Sequence, residues 1–382
     1  MKANPGGNLS PDQVYGRDRF IEMLWDRLES QSVVINAERR IGKTQILQKM
    51  VEEPREGWKP IYKDLERIRT AQEFAELVYN DVQEFLGTTK SAKNFVQKFF
   101  EENEFKNINL KGRTWKQLLV SAIEDLMSGN TEDQLVFFWD EMPYMLESIR
   151  TNSNEGPEVA AEVLDTIRSL RMEQQRFRVV FTGSIGLHHV LEKLTQSGIP
   201  TSAKNDMFHT TVTPLAPHFA EKLAADLLRG ENIQCESHDV AATAIAEEVD
   251  YFPFYIHHVV AGLKIEQLSA TPKNIRDFVA EQLVNASDPW QLAHFRTRLS
   301  TYYPDGVDAN SVTKILDIIA TGDDESFSVA ELSEQLIDLP REDLLRLLRL
   351  LDADHYLSRE PNGSYRFRFP LIRRWWRMDR GL

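Results

Sequence analysis

A glycine, a lysine and a threonine in succession, Gly42, Lys43 and Thr44, are residues that can bind a polyphosphate and its metal ion. They end the segment 37–44, which follows a short apolar run at 33–35 and begins at Ala37 where the pattern G-x-x-x-x-G-K-[ST] has glycine. Gly42 lets backbone N–H groups face phosphate oxygens, Lys43 can reach the β- and γ-phosphates, and the Thr44 hydroxyl can bind Mg²⁺. The segment predicts a site for a nucleoside triphosphate, with ATP favoured over GTP.

Two carboxylates end the most hydrophobic strand predicted in the chain, residues 135–139. Asp140 and Glu141 are costly at the end of a buried strand unless a cation compensates their charge. Asp140 is expected to hold Mg²⁺, and Glu141 to polarise the attacking water as a general base. The pair predicts hydrolysis of the bound nucleotide, with Lys43, Asp140 and Glu141 as the catalytic residues.

A further strand, predicted at 178–181, is followed by Thr182 and Ser184. A polar side chain at that strand end is expected to face the γ-phosphate from beside the acidic pair, and either residue could supply it. The alternative is an ordinary turn made by Gly183 between a strand and a helix.

The elements around these residues predict an α/β fold. Strands at 33–35, 60–65, 135–139 and 178–181 alternate with helices, which favours a parallel P-loop sheet covered by helices over residues 1–212. Residues 213–300 are predicted to form a helical lid. Residues 301–382 are predicted to form three helices and a hairpin, the order of a winged-helix domain.

The composition limits the function classes. The chain has 382 residues, one cysteine (Cys235) and a net charge of −14, which excludes a disulfide framework and opposes non-specific binding to nucleic acid. No apolar run approaches the roughly 20 residues that span a bilayer, and the N-terminus has no secretory pattern. A cytoplasmic protein without membrane contact is expected.

The C-terminal region leaves two kinds of partner open. Residues 365–382 hold one acid, Asp379, and six arginines: Arg366, Arg368, Arg373, Arg374, Arg377 and Arg380. Such a cluster can contact DNA phosphates. The predicted recognition helix at 340–354, however, carries four acids against three arginines and many leucines, which favours protein docking or autoinhibition over DNA binding.

Together these segments resemble the AAA+ and STAND group of P-loop ATPases, and within it the archaeal ATPase-like family. The matching segments are Tyr15-Gly16-Arg17-Asp18, Arg39-Arg40-Ile41-Gly42-Lys43-Thr44, Phe138-Trp139-Asp140-Glu141-Met142-Pro143, Phe181-Thr182-Gly183-Ser184 and, more loosely, Tyr251-Phe252-Pro253-Phe254-Tyr255. In the last segment the usual glycine is absent, with Asp250 or Tyr251 in its place.

The resemblance implies a nucleotide-controlled switch or an oligomeric motor that acts on a protein partner or on copies of itself. It implies that Tyr15, Gly16 and Arg17 cup the adenine and that Pro253 approaches the base. The remaining nucleotide-binding residues it implies are Ala37, Arg39, Arg40, Ile41, Gly42, Lys43, Thr44 and Gln45. An arginine finger for a neighbouring subunit is expected from Arg168 or Arg171, with a solvated basic helix end as the alternative.

Overall fold

The computed structural model describes residues 1–87, 114–128, 133–174, 176–183, 186–303, 306–322 and 326–382. They form two compact units. The sheet unit contains Arg17–Ala37 and Lys43–Val212, and the helical unit contains Met1–Gly16, Glu38–Gly42 and Thr213–Leu382. Five residues of the predicted phosphate loop, Glu38–Gly42, thus group with the C-terminal half of the chain.

The sheet unit is built on five parallel strands in the order β2-β3-β4-β1-β5. The strands are β1 (Val33–Ala37), β2 (Trp58–Asp64), β3 (Gln134–Asp140), β4 (Arg178–Thr182) and β5 (Phe208–Val212). The described helices are α1 (Asp18–Leu28), α2 (Lys43–Glu52), α3 (Ala71–Phe85), α4 (Thr114–Ser128), α5 (Met142–Thr151), α6 (Gly156–Glu173) and α7 (Leu187–Gln196). The predicted α/β fold with a parallel sheet is confirmed.

The core of the sheet unit lies around β3, whose residues from Leu135 to Asp140 are buried. The Trp139 ring stacks on Phe181 of β4, with centroids 5.9 Å apart, and meets Phe74 of α3 edge-on at 5.0 Å. Burial of apolar side chains on both faces is what a parallel sheet covered by helices requires. This packing fixes where β3 ends and therefore where Asp140 lies.

The helical unit follows β5. Its helices are α8 (Pro217–Glu231), α9 (His238–Glu248), α10 (Pro253–Ile265), α11 (Pro272–Leu283), α12 (His294–Tyr302), α13 (Gly306–Thr321), α14 (Val329–Gln335), α15 (Arg341–Ala353) and α16 (Pro370–Arg380). Several of these helices begin at a proline, a residue whose fixed φ suits the first helical position. Strands β6 (Leu357–Arg359) and β7 (Tyr365–Phe367) form an antiparallel hairpin before α16.

Two elements were not predicted. Strand β5 lies at the edge of the sheet, where its side chains alternate between more and less exposed positions and include His209, Thr210 and Thr211. Residues 370–380, interpreted above only as an arginine-rich tail, form α16, which buries Leu371, Ile372, Trp375 and Trp376. Both elements are stabilised by tertiary packing and carry a weak local signal.

Within the described parts of the chain, none of the helices combines the length and the apolar character needed to cross a bilayer.

Candidate nucleotide site

The backbone of the predicted phosphate loop explains which positions need glycine. Ala37 is the last residue of β1 and does not have a positive φ, so its methyl group is compatible with the loop. Positive φ values occur instead at Gly42, at 98°, and at Arg40, at 67°. The value at Gly42 is one that side-chain-bearing residues rarely adopt, whereas the value at Arg40 stores strain in a non-glycine residue.

Lys43 and Thr44 begin α2, immediately after the loop, and Gln45 follows in the same turn. The buried Lys43 ammonium donates a hydrogen bond to the Ala37 carbonyl, with Nζ and oxygen 2.9 Å apart. The side chain therefore folds back along the loop towards the end of β1. An ammonium in this position, beside the first backbone N–H groups of a helix, is suited to an anion.

The Asp140 carboxylate is bonded by hydroxyl groups from three other elements of the sheet unit. Thr44 donates to Oδ2 at 3.0 Å, Tyr62 of β2 donates to Oδ2 at 3.1 Å, and Thr182 of β4 donates to Oδ1. Strands β2 and β4 lie on either side of β3, so their side chains converge on its carboxyl end. The structure thus brings together Thr44, Asp140 and Thr182, three of the residues singled out from the sequence, and adds Tyr62.

These oxygens fit a hard divalent cation. Mg²⁺ takes oxygen ligands at 2.0–2.1 Å in an octahedron, in which neighbouring oxygens are about 3 Å apart. The Thr44 hydroxyl and the Asp140 Oδ2 are separated by 3.0 Å. The Asp140 side chain is 4 % exposed, and a buried carboxylate is stabilised by a cation. Thr44 and Asp140 are therefore the residues that would hold Mg²⁺.

Glu141 adopts a left-handed backbone conformation, with φ at 57° and ψ at 30°, between β3 and α5. Its N–H donates to Asp140 Oδ1 at 3.1 Å, and its carbonyl accepts the N–H of Met145. Left-handed backbone in a side-chain-bearing residue costs free energy and often occurs at functional sites.

Tyr62 keeps its proton at neutral pH. Burial and the charge of Asp140 both raise the pKa of Tyr62 above its ordinary value, so the phenol remains a donor. The sequence analysis missed Tyr62 because a tyrosine in a strand is ordinary. The available signal is the parallel register, which pairs Tyr62 with Phe138 and Asp64 with Asp140, and so puts Tyr62 two residues before the acid.

In the helical unit, the loop residue Glu38 is buried and paired with Arg298 of α12. Arg298 donates from Nη1 to Oε1 at 2.8 Å and from Nη2 to Oε2 at 3.0 Å, and the N–H of Arg39 donates to Oε1 at 2.7 Å. Burial alone would raise the pKa of Glu38, but the charge and hydrogen bonds of Arg298, together with the effect of His294, outweigh it and hold that pKa below its ordinary value. The sequence analysis singled out neither residue.

The strained Arg40 is held within the same unit. Its guanidinium lies over the Phe254 ring, 4.5 Å from the centroid, and donates to the side chain of Gln291. Arg39 is exposed and Ile41 is buried. Exposure therefore differs from residue to residue along the loop, and the predicted contacts of these side chains with nucleotide remain predictions.

The segment predicted to cup adenine is divided between the units. The Tyr15 hydroxyl donates to Asp226 of α8 at 2.7 Å, and burial together with this bond raises the pKa of Tyr15 to about 12. A Cβ on Gly16 would lie 2.6 Å from the Phe219 ring, so glycine is required there for packing. Arg17, in the sheet unit, is buried, which lowers its pKa to about 10.

Pro253 is the first residue of α10, and two left-handed residues precede it, Asp250 at φ 50° and Tyr251 at φ 62°. One of these two residues stands where the family that the segment resembles usually has glycine. The Asp250 carboxylate accepts the N–H of Leu371 at 2.6 Å, and burial raises the pKa of Asp250 to about 6. The side chain therefore provides a contact that glycine could not.

The two arginine-finger candidates differ in their surroundings. Arg171 is buried and donates to Asp206 at 3.0 and 3.2 Å and to the Ala203 carbonyl at 2.6 Å. The Arg168 side chain is 34 % exposed and lies 3.5 Å from the same aspartate. An arginine finger at either position remains a prediction. Ser184, the second sensor candidate, lies outside the described residues.

The sheet, the loop and the acidic strand end define the class: the chain has the fold of a P-loop ATPase. It is similar over 99 % of its length to a solved Walker-type ATPase of Pyrococcus abyssi, all of whose chain is covered, with a TM-score of 0.65 and 17 % sequence identity. No protein-family model and no curated protein matches the sequence. The likeness at this identity is one of fold.

Proposed function

We propose that the chain binds and hydrolyses Mg-ATP as an AAA+/STAND-type ATPase, acting as a nucleotide-controlled switch or an oligomeric motor on a protein partner. The observation that carries the proposal is the convergence of Thr44 and Thr182 on the Asp140 carboxylate. Three separate segments supply this cluster, and the sequence pattern of each contains a candidate site residue, with Thr182 one of two candidates in its segment. A cytoplasmic location is part of the proposal.

Each residue of the site has a separate role in this proposal. Backbone N–H groups of the loop and the Lys43 ammonium bind the phosphates, and Thr44 with Asp140 binds Mg²⁺, which supplies charge stabilisation to the transferring phosphoryl group. Glu141 accepts a proton from the attacking water. Thr182 orients the Asp140 carboxylate, to which it donates a hydrogen bond. Tyr15, Gly16, Arg17 and Pro253 are proposed to surround the base.

Three variants test the proposal through the equilibrium binding of Mg-ATP and the release of phosphate. Lys43→Ala should abolish binding, because the ammonium that meets the phosphates is removed. Glu141→Gln should bind ATP normally and lose turnover. Lys49→Ala is the matched control on the same helix, since Lys49 pairs with Asp18 at 2.7 Å, and it should behave as the wild type.

The outcomes separate binding from hydrolysis. Normal ATP binding by Lys43→Ala would remove the nucleotide site, whereas normal turnover by Glu141→Gln would remove only the general base. The molecular mass of Glu141→Gln with and without ATP then distinguishes a motor from a switch. A nucleotide-dependent ring would favour the motor and a monomer or dimer the switch.

The alternative is a DNA-binding protein resembling origin-recognition initiators, which would use the hairpin and the arginine-rich C-terminus as a winged helix. The contacts of these arginines favour the protein-partner proposal. Arg366, Arg368, Arg373, Arg374 and Arg380 each have a partner within the helical unit: Glu360, His355, the Ala320 and Gly322 carbonyls, Glu248 and Asp317. Absence of a salt-dependent mobility shift with ATP would exclude the alternative.

A further inference from the structure

A buried carboxylate is an unexpected group in a phosphate loop. The Glu38 side chain is 2 % exposed and belongs to the segment whose backbone is proposed to receive a polyphosphate. A negative charge there opposes the binding of another anion unless something cancels it. The bidentate contact from Arg298 supplies that cancellation.

Arg298 is itself held in place. Its Nε donates to the Tyr356 hydroxyl at 2.7 Å, and its Nη2 donates to the Asp354 carbonyl at 3.0 Å. Its guanidinium also lies over the rings of Phe295, at 4.6 Å, and Tyr356, at 4.2 Å. A guanidinium fixed by this many contacts presents two of its three remaining N–H groups to Glu38 in one geometry.

The pair is coupled to the backbone of the loop. Glu38 Oε1 accepts a hydrogen bond from Arg298 Nη1 and another from the Arg39 N–H, the latter at 2.7 Å. The next residue is Arg40, whose positive φ is held by contacts with Phe254 and Gln291. Movement of the Glu38 carboxylate would therefore change the backbone at the point where the loop is strained.

We propose that Arg298 is a positioning residue for triphosphate binding, acting through Glu38: it neutralises and fixes that carboxylate, so that the loop meets the phosphates in the correct conformation and without a competing charge. The inference rests on the proposed function and deepens it. It assigns a role to α12, a helix to which neither the sequence patterns nor the resemblance gave one.

The test measures the dissociation constant of Mg-ATP for Arg298→Met, Glu38→Gln and the double variant. Arg298→Met should weaken binding by at least about tenfold, because the Glu38 charge is left beside the phosphates. Glu38→Gln keeps an oxygen for the Arg39 N–H and removes the charge, so binding should stay within about threefold of the wild type. The double variant should bind like Glu38→Gln, since Arg298 then has no charge to neutralise.

Several results would overturn the inference. Wild-type affinity in Arg298→Met would show that the pair does not affect the site. Equal losses in both single variants would indicate a merely structural pair. A double variant about tenfold weaker than Glu38→Gln would mean that Arg298 acts on the nucleotide directly. This last comparison uses no single Arg298→Met variant, so a direct effect of Arg298 on the nucleotide can be tested even if that variant does not fold.

Two controls complete the design. Arg296→Met removes an arginine of the same helix whose partner is Asp379 at 3.1 Å, and it should leave ATP affinity unchanged. Circular dichroism and thermal unfolding establish which variants are folded. If the wild type binds no ATP, or if Lys43→Ala binds as well as the wild type, the proposed function itself fails. If those two results are as expected and Arg298→Met binds normally, only the inference fails.

Discussion

Each of the two units buries a carboxylate, and the groups around the two carboxylates compensate their charge differently. Asp140 in the sheet unit accepts hydrogen bonds from the hydroxyls of Thr44, Tyr62 and Thr182. Glu38 in the helical unit receives the guanidinium of Arg298. Hydroxyl groups orient a carboxylate and leave its charge in place, whereas a guanidinium neutralises it. Asp140 is thus suited to an external cation, and Glu38 to a fixed loop conformation.

The largest expected effect on folding is that of Arg298→Met. Removing one partner of a buried ion pair leaves an uncompensated charge, so we expect the free energy of unfolding to fall by about 3–5 kcal/mol. Urea denaturation monitored by circular dichroism measures the change. Glu38→Gln/Arg298→Met should recover most of the loss, because neither charge then remains buried.

The outcome contradicting this prediction is a loss below about 1 kcal/mol, the range of exposed ion pairs. Arg296→Met provides that reference, since the Arg296 side chain is 56 % exposed. A small effect at both positions would mean that water reaches Glu38 and that the contrast between the two carboxylates is wrong.

Asp140→Asn should show the opposite profile. The amide oxygen can replace Oδ1, the hydroxyls at Oδ2 can accept from the amide NH₂, and the charge is removed. Without ligand, the free energy of unfolding should therefore change by less than about 1 kcal/mol. The magnesium dependence of ATP binding should nevertheless be lost, with affinity in Mg²⁺ reduced by about 100-fold. Titration with ATP in Mg²⁺ and in EDTA measures this. Retained magnesium dependence would remove Asp140 from the metal site.

The same contrast explains what could be predicted from the sequence. The Asp140 cluster is assembled from the ends of parallel strands, and short local patterns mark those ends, so Thr44, Asp140 and Thr182 could be named in advance. Tyr62 and strand β5 lack such a pattern. Tyr62 is defined by register with β3, and β5 by its position at the edge of the sheet.

The Glu38 pair could not be predicted because its partners are 260 residues apart. Nothing local distinguishes Arg298 from other arginines, and the loop pattern accepts any residue at position 38. The arginines of residues 365–382 form an obvious local pattern, but the pattern does not show which groups they bind. The run of arginines suggested contacts with DNA phosphates, whereas Arg373 and Arg374 donate to carbonyls and to Glu248 in the helical unit. Charge patterns alone do not reveal such internal partners.

Asp250 is a third carboxylate. Neighbouring groups offset its charge more than that of Asp140 and less than that of Glu38. It accepts the N–H of Leu371, and the charge of Arg374 partly offsets its burial, yet its pKa remains raised from 3.8 to about 6. A raised carboxyl pKa means that the folded state binds the proton more tightly. Its contribution to stability therefore declines as pH rises from about 4 to 6, and stays at the lower level above pH 6.

Asp250→Asn should consequently stabilise the protein at neutral pH. Asparagine keeps an acceptor for the Leu371 N–H, tolerates the left-handed φ and has no charge to bury. We expect a gain of about 1–2 kcal/mol in the free energy of unfolding at pH 7.5 that disappears near pH 4. Urea denaturation at both pH values measures it. A gain that is independent of pH would assign the effect to backbone conformation and not to charge.

The smallest effect is expected for Tyr62→Phe, and it determines whether the hydroxyl groups around Asp140 merely orient it. The variant removes a hydroxyl that donates a hydrogen bond to the Asp140 carboxylate, and it keeps the aromatic ring. If the charge of Asp140 is what the site uses, the Mg²⁺ concentration for half-maximal ATP binding should rise by less than about tenfold, which corresponds to 1.4 kcal/mol. Tyr144→Phe, where the ring lies over Arg69, is the matched control and should change nothing.

A loss as large as that of Asp140→Asn would mean that the Tyr62 phenol itself contacts the ion or the phosphates. Neutral hydroxyls would then take part in binding directly. The contrast between Asp140, which hydroxyls only orient, and Glu38, which a guanidinium neutralises, would no longer hold.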